Sequence, residues 1–333
     1  MKKIFAWIIA IILSTAILIL IVFQISPRPG AYLINKMFDS PIEITDKEKY
    51  EESSKKVSVI EDIDYDSQYE RNNFDIYYPK GATERVPVIF WVHGGGYVGG
   101  DKSGVTEFAT NIASDANVAV ITLNYELAPD SEYPGQINQI DDAYRFIEKS
   151  LDEYSMIDLD QIFFGGDSAG AQIALQYVTI QTNKKYAEQM NMEQTIQQTK
   201  IKGAISYCGP VNLKQTVEEK SDSKFLRFFV KTVAWSLIGE KDWQDTPQLQ
   251  EASLVSHVTE DFPPTYITDG NAFSFPQQGI ELEEQLKSLQ VSVSSLFFVD
   301  SPEQINHEYQ FDYRTKEAKL CYEQTLSFVN QYK

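Results

Sequence analysis

A single α/β domain, with a mostly parallel sheet covered by helices on both faces, is the architecture this sequence predicts, and three observations carry the prediction. Eight short apolar runs recur from about Lys56 onward: "KVSVI", "FDIYYP", "VPVIFWV", "VAVITLNY", "QIFFGG", "KGAISYC", "PPTYITDG" and "VSVSSLFFV". Longer segments with helical spacing of apolar residues separate them, including Asp141 to Tyr154, Ala169 to Lys184, Gln277 to Leu289 and Arg314 to Tyr332. Finally, the runs are almost continuously apolar rather than alternating, which is the pattern of strands buried on both sides. No repeat or low-complexity linker divides the chain, and 333 residues with 43% hydrophobic content can bury one large core.

Taken in order, the first element is "MKK" followed by Ile4 to Ile25, a stretch without charge whose polar residues are Ser14, Thr15 and Gln24. At ~1.5 Å per residue a helix of this length spans the ~30 Å hydrocarbon layer. A cleaved signal peptide is the competing reading, but its apolar core is typically about 7–15 residues and ends in small residues. Here "SPRPG" follows instead, so residues 1–26 are expected to be an uncleaved anchor. Lys2 and Lys3 favour a cytoplasmic amino end, with the rest of the chain outside. Residues 27–70 are expected to form a linker and an amino-terminal cap segment, with a short amphipathic helix at Ala31 to Phe38 and a charged, solvated stretch at Asp46 to Lys56.

The main domain is expected over residues 71–333, with one interruption: Val211 to Gln250 adds a long insertion between the sixth and seventh runs. Within it, "KFLRFFVKTVAW" puts Phe225, Phe228, Phe229 and Val233 on one helical face. Core packing is one reading of that face, and a cap over a substrate pocket is the other.

Two stretches carry chemistry. "FFGGDSAGAQIA" holds Gly166-Asp167-Ser168-Ala169-Gly170, a G-x-S-x-G between a predicted strand and a predicted helix. In that setting the serine sits on a sharp turn that lifts its hydroxyl above the sheet, and the Ala169 amide at the helix start faces developing negative charge. "FWVHGGGYVGGDKSG" places His93-Gly94-Gly95-Gly96 after the third run, where a glycine loop can turn its amides inward as further oxyanion donors. A plain glycine turn is the simpler alternative, and a phosphate-cradling loop is disfavoured because the Lys-Ser/Thr ending has the wrong spacing.

Together "HGGGYVGG", "NYELAPDSEYP" and "GGDSAG" resemble the hormone-sensitive-lipase-like branch of the α/β-hydrolases, from about Arg71 to the carboxyl end. The resemblance implies an α/β-hydrolase fold with a helical cap, Ser168 as nucleophile, and Gly95, Gly96 and Ala169 as oxyanion amides. Glu126 stands where that family tends to have arginine. Of the three histidines, His93 belongs to the glycine loop and His257 precedes the seventh run. His307, after the eighth, is the one in the order nucleophile, acid, base. Glu308-Tyr309 follow it where the family more often has Gly-Phe.

The acid departs from the pattern. The resemblance puts it three residues beyond Gly270, where this chain has Phe273. Asp269 at the strand end is the favoured substitute, Asp300 near His307 is another, and a Ser168–His307 dyad with Asn271 or a water holding the ring is a third.

The expected activity is that of a membrane-anchored, extracytoplasmic serine ester hydrolase acting on small-molecule esters, with no metal or organic cofactor. Deacetylation of carbohydrates by the same mechanism is an alternative, and so is a non-catalytic small-molecule-binding relative. A formal net charge of −19 excludes a nucleic-acid partner, because phosphate binding needs clustered Lys and Arg. Cys208 and Cys321 lack metal-ligand spacing and are expected to be buried thiols.

Overall fold

The computed structural model describes residues 2–38, 43–218 and 222–333. In chain order the elements are α1 (Lys2–Ile25), α2 (Arg28–Asn35), α3 (Lys47–Ser54), β1 (Val57–Asp64), β2 (Asn73–Pro79), β3 (Val86–Val92), α4 (Thr106–Ala116), β4 (Ala119–Leu123), α5 (Gly135–Lys149) and β5 (Ile157–Asp167). Then come α6 (Ala169–Thr182), α7 (Lys184–Gln189), β6 (Ile201–Tyr207), α8 (Leu213–Glu218), α9 (Lys224–Ile238), α10 (Pro247–Glu251), β7 (Thr265–Asp269), α11 (Pro276–Ser288), β8 (Val293–Phe297) and α12 (Lys316–Tyr332).

All eight predicted runs are strands of one sheet, ordered β1-β2-β4-β3-β5-β6-β7-β8. β1 and β2 pair antiparallel, as do β2 and β4, while every later pairing is parallel. β3 shows why its sequence is apolar throughout. Phe90 faces Phe164 and Tyr144 of α5, whereas its neighbour Trp91 points the other way onto Phe108 of α4 and Tyr207. Successive side chains of a strand leave opposite faces, so a sheet sandwiched between helix layers needs both sets to be apolar. Cys208 and Cys321 are both free and buried.

Lys3–Ile25 of α1 is long and apolar enough to cross a membrane, and none of that span is buried against the rest of the chain. The amphipathic helix expected at Ala31 to Phe38 begins earlier, at Arg28, because Pro29 is accommodated in its first turn. The Asp46 to Lys56 stretch is not simply solvated: Asp46 caps α3 through the Lys49 amide, and Lys49 pairs with Asp115 of α4 at 2.7 Å. β1 joins the sheet at Val57, inside the stretch expected to be linker. The insertion after β6 holds α8, α9 and α10. On α9 the expected apolar face divides, with Phe228, Phe229 and Val233 half-buried and Phe225 exposed.

Candidate active site

The carboxyl ends of β3, β5 and β7 and the loop after β8 converge on one place, where an open parallel sheet presents its binding crevice. Ser168 follows β5 at once and begins α6 with φ 50° and ψ −123°, a backbone conformation that a residue with a side chain rarely adopts. Its amide donates to the Tyr207 carbonyl at 2.8 Å, which fixes the turn to β6. Gly170 lets the turn pack under β3: a Cβ there would lie 2.1 Å from the Val92 carbonyl oxygen and 2.5 Å from that of His93. Gly170→Ala is therefore expected to cost about 3 kcal/mol or more, since a backbone clash has no flexible side chain to absorb it. A thermal melt of the variant checks this.

Ser168 is 8% exposed, and its Oγ lies 2.8 Å from His307 Nε2. The other ring nitrogen, Nδ1, is 2.7 Å from the Oγ of Ser274. Ser274 in turn donates a short hydrogen bond to Asp269 Oδ1, and the Phe275 amide donates to Asp269 Oδ2 at 2.9 Å. Four side chains thus form one line, Ser168–His307–Ser274–Asp269. Asp269 reaches the imidazole through a hydroxyl.

Ser274 was invisible to the motif reading. Phe273, in the place the resemblance reserves for the acid, is 81% exposed with φ 53°, and it turns the chain so that the next residue faces inward. The only hint in the sequence is a serine beside that phenylalanine. The loop is fastened to the histidine loop by the Asn271 and Ala272 amides donating to the Ile305 carbonyl and by the His307 amide donating to Ala272 at 3.0 Å. Asn271 does not hold the ring: its amide group donates to the carbonyls of Phe298 and Glu303, and its oxygen accepts from Ile305. Asp300 is exposed at the end of the β8 segment and takes no part in the line.

Ala169 opens α6, and a first-turn amide has no acceptor inside its own helix. The amides of Gly95 and Gly96 likewise find no acceptor among the described residues. None of these three N–H groups is thus engaged by another acceptor among the described residues, which is what an oxyanion donor requires. The loop that carries two of them is tied to the serine turn by Asp167, which accepts from Trp91 Nε1 at 2.8 Å and from the Gly94 amide at 2.7 Å. His93 is buried in the same loop, with Nδ1 2.6 Å from the Gly94 carbonyl and its ring stacked on Tyr125. His257 stacks on Tyr186 of α7, away from this line.

Burial dominates the electrostatics. It pushes the Asp269 carboxyl up to about 7 against the lowering effect of Ser274 and the Phe275 amide, and it pulls the His307 imidazole down to about 4. Burial also raises the Asp167 and Glu308 carboxyls above their ordinary range, and the charge of Asp167 raises Glu308 further. Glu308 also adopts φ 59°, which explains why glycine suits this position in the resembling family.

Cys208 Sγ, an Asp269 oxygen and a His307 nitrogen lie within 4.8 Å of one another, the one grouping of metal-ligand type among the described residues. The Ser274 hydroxyl already bridges two of its members, and burial raises the Cys208 thiol well above its ordinary range, which keeps it neutral. The group fits a hydrogen-bonded relay better than a metal cradle, which needs a thiolate and unshared ligand atoms.

Comparison with known proteins agrees with this architecture. Esterase B from Lactobacillus rhamnosis superposes with a TM-score of 0.67 at 19% identity, over 91% of this chain and 92% of its own. A bacterial heroin esterase gives 0.66 at 20% identity over 91% and 96%, and a truncated carbohydrate esterase from gut microbiota gives 0.65 at 18% over 83% and 96%. At those identities the likeness establishes the α/β-hydrolase fold that the motifs implied. A protein of Acanthamoeba polyphaga mimivirus named as an alpha/beta hydrolase is 39% identical over 102 residues, which span 31% of this chain and 29% of that protein. The chain thus spans less than a third of the length of that relative. The family model described as BD-FAE matches residues 74–286, from β2 through most of α11, and the chain accordingly belongs to the BD-FAE family.

Proposed function

We propose that this protein is a membrane-anchored serine ester hydrolase, with its catalytic domain on the extracytoplasmic side, that works through an acyl-enzyme. The observation that carries the reading is the 2.8 Å approach of Ser168 Oγ to His307 Nε2, with the opposite ring nitrogen already engaged. With Asp269 ionised, Ser274 donates its only hydroxyl proton to the carboxylate. Its oxygen can then only accept, so His307 carries its proton on Nδ1 and offers a lone pair at Nε2. That tautomer is the one a general base for Ser168 requires.

In the first half-reaction Ser168 Oγ bonds to the ester carbonyl carbon and its proton passes to His307 Nε2. The amides of Gly95, Gly96 and Ala169 hold the oxyanion, and the Asp269–Ser274 pair stabilises the imidazolium. The carbon–oxygen bond to the leaving alcohol breaks as that alcohol takes the proton from Nε2. In the second half-reaction water loses a proton to Nε2 and adds to the acyl carbon. The acyl–Ser168 bond then breaks, Ser168 regains its proton, and a carboxylic acid leaves. No step calls for a metal or an organic cofactor.

Ser274 acts through His307, so it is a positioning residue. Ser274→Ala leaves the Nδ1–H without an acceptor and Asp269 Oδ1 without its hydroxyl donor, and should lower kcat by about 10²-fold with little change in KM. Ser274→Thr, which keeps the hydroxyl, should restore most of the rate. Equal losses in both variants would mean that the side chain matters only for packing.

For the substrate, α9 supplies the nearest surface. A Cβ on Gly96 would lie 3.0 Å from the Phe229 ring and 3.6 Å from a Val233 methyl, so the oxyanion loop faces apolar groups of the cap. An uncharged acyl group of short to medium length suits that wall. A panel of p-nitrophenyl esters and acetylated sugars tests the assignment. The highest kcat/KM is expected on uncharged acyl esters, and a folded protein that turns over none of the panel would favour a binding role instead.

A further inference from the structure

The inner side of α9 is accounted for by the oxyanion loop, but its outer side and that of α2 are not. α2 and α9 pack face to face, closely enough that a Cβ on Gly30 would lie 2.8 Å from a Thr232 methyl and 3.4 Å from the Phe228 ring. With Gly30, Ala31 and Ile34 buried, Tyr32 and Leu33 are left exposed on α2, Met37 just beyond its end, and Phe225 and Leu226 on α9. Exposed large apolar residues in adjacent helices are unusual on a soluble surface.

Three features indicate what covers them. The pair is continuous with α1: two residues, Ser26 and Pro27, separate Ile25 from Arg28, and Lys241, just after α9, donates to the carbonyl of Gln24 in the last turn of α1 at 2.8 Å. Charge is the second. In a chain with 48 acidic and 29 basic residues, α2 and α9 contain Arg28, Lys224, Arg227 and Lys231 and not one Asp or Glu. The third is the amphipathic form of α9, with Phe and Leu interleaved with Lys and Arg, as in helices that lie in a lipid headgroup layer. Among the described residues the acids near these helices include Asp130, paired with Arg28 at 2.6 Å, Asp222 ahead of α9, and Glu132, Glu240 and Asp242 around its carboxyl end, and in the sequence Glu218 and Glu219 precede Asp222.

We propose that the α2–α9 face lies in the headgroup layer of an anionic bilayer, the one α1 crosses, and that the enzyme hydrolyses uncharged acyl esters taken from that bilayer along α9. The inference rests on the anchored ester hydrolase reading above. It adds the docking face and the source of the substrate: α9 touches lipid on one side and the Gly96 loop on the other.

The test uses the full chain in vesicles of phosphatidylcholine, alone or mixed with phosphatidylglycerol. Leu33→Asp and Leu226→Asp, singly and together, are compared with wild type on p-nitrophenyl butyrate in water and on dioctanoylglycerol in the bilayer. The double variant should lose at least about tenfold on the bilayer ester while keeping the soluble rate within about twofold. In parallel, Leu226→Cys is labelled with the environment-sensitive fluorophore NBD, the native thiols being buried. Its emission should shift to the blue, more so with phosphatidylglycerol, and be quenched by brominated lipid. Unchanged rates on both esters, or a label that stays water-like, would overturn the proposal. Vesicle flotation separates the causes. A wild type that does not float removes the anchor and this inference with it, whereas one that floats without turning over the soluble ester faults the hydrolase reading and leaves the label to decide docking.

Discussion

Ser168→Ala should abolish measurable turnover of p-nitrophenyl butyrate, a loss on the order of 10⁶ in kcat, comparable to removing the nucleophile from other serine hydrolases. The size follows from the geometry. His307 Nε2 has one partner in position to lose a proton to it, the Ser168 hydroxyl 2.8 Å away. Alanine leaves the three oxyanion amides in place, so a residual rate above that in water, by about 10³–10⁴, is expected from them and from substrate binding. His307→Ala should be nearly as severe, and the double variant hardly worse than either single one, since the two groups act as a unit. Additive losses on a logarithmic scale would mean that the serine and the imidazole serve separate steps. Steady-state kinetics on the four proteins distinguishes these outcomes.

Asp269→Asn is the second large effect, and the more informative one. An amide can donate to Ser274, which frees the Ser274 proton to point at His307 Nδ1 and shifts the ring proton to Nε2. In that tautomer Nε2 no longer accepts from Ser168. A loss of about 10²–10⁴ in kcat is expected, up to the size seen when a directly bonded triad carboxylate becomes an amide. The same logic gives a pH signature. Burial holds the Asp269 carboxyl up to about 7, so protonation of the Asp269–Ser274–His307 unit should produce an acid limb in kcat/KM with a midpoint near that value. Activity rises with pH through that limb, because the ionised carboxylate sets the productive tautomer. In Asp269→Asn the limb should disappear or move well below, toward the His307 value of about 4. A limb near 7 that persists unchanged in the variant would assign it to another group, of which Glu308 and Asp167 are the nearest by position and pKa.

Stability should move the opposite way. A carboxyl whose pKa rises from 3.8 to about 7 on folding binds its proton more tightly in the native state. Its contribution is therefore fully present below the unfolded value and is lost as pH rises through the folded one. Asparagine carries no such loss, so Asp269→Asn should melt no lower than wild type at pH 8. That comparison separates a catalytic defect from misfolding.

How far the sequence disclosed this arrangement depends on how local each signal was. The serine turn and the glycine loop were readable because each is a few consecutive residues whose types are dictated by one backbone conformation: Ser168 sits at φ 50° and Gly170 where any Cβ meets β3. The eight strands were readable for a similar reason, since two-sided burial leaves an unbroken apolar run. The carboxylate end of the hydrogen-bonded line was only half readable. Asp269 stands at the end of β7 as favoured, but its link to His307 depends on a loop closed by hydrogen bonds between residues 271–272 and 305–307, more than thirty positions apart. No residue-type rule marks Ser274 as the bridge, because serine is ordinary in any loop. The charged residues of the α3 segment are largely exposed, as their density indicates, but composition carries no sign of the one that docks, Lys49 against Asp115 of α4. On α9, periodicity grouped Phe225 with Phe229, but the first turn of the helix is exposed and cover begins only at Phe228.

The central claim is that Ser168 is an activated nucleophile, and covalent capture tests it most directly. The full chain is incubated with a fluorophosphonate at neutral pH, digested, and mapped by mass spectrometry. A single phosphonyl adduct on the peptide containing Ser168, absent from Ser168→Ala and slowed by about 10² or more in His307→Ala, is the result this arrangement predicts. A folded wild-type protein that takes no label, or that takes it on another residue, would contradict it.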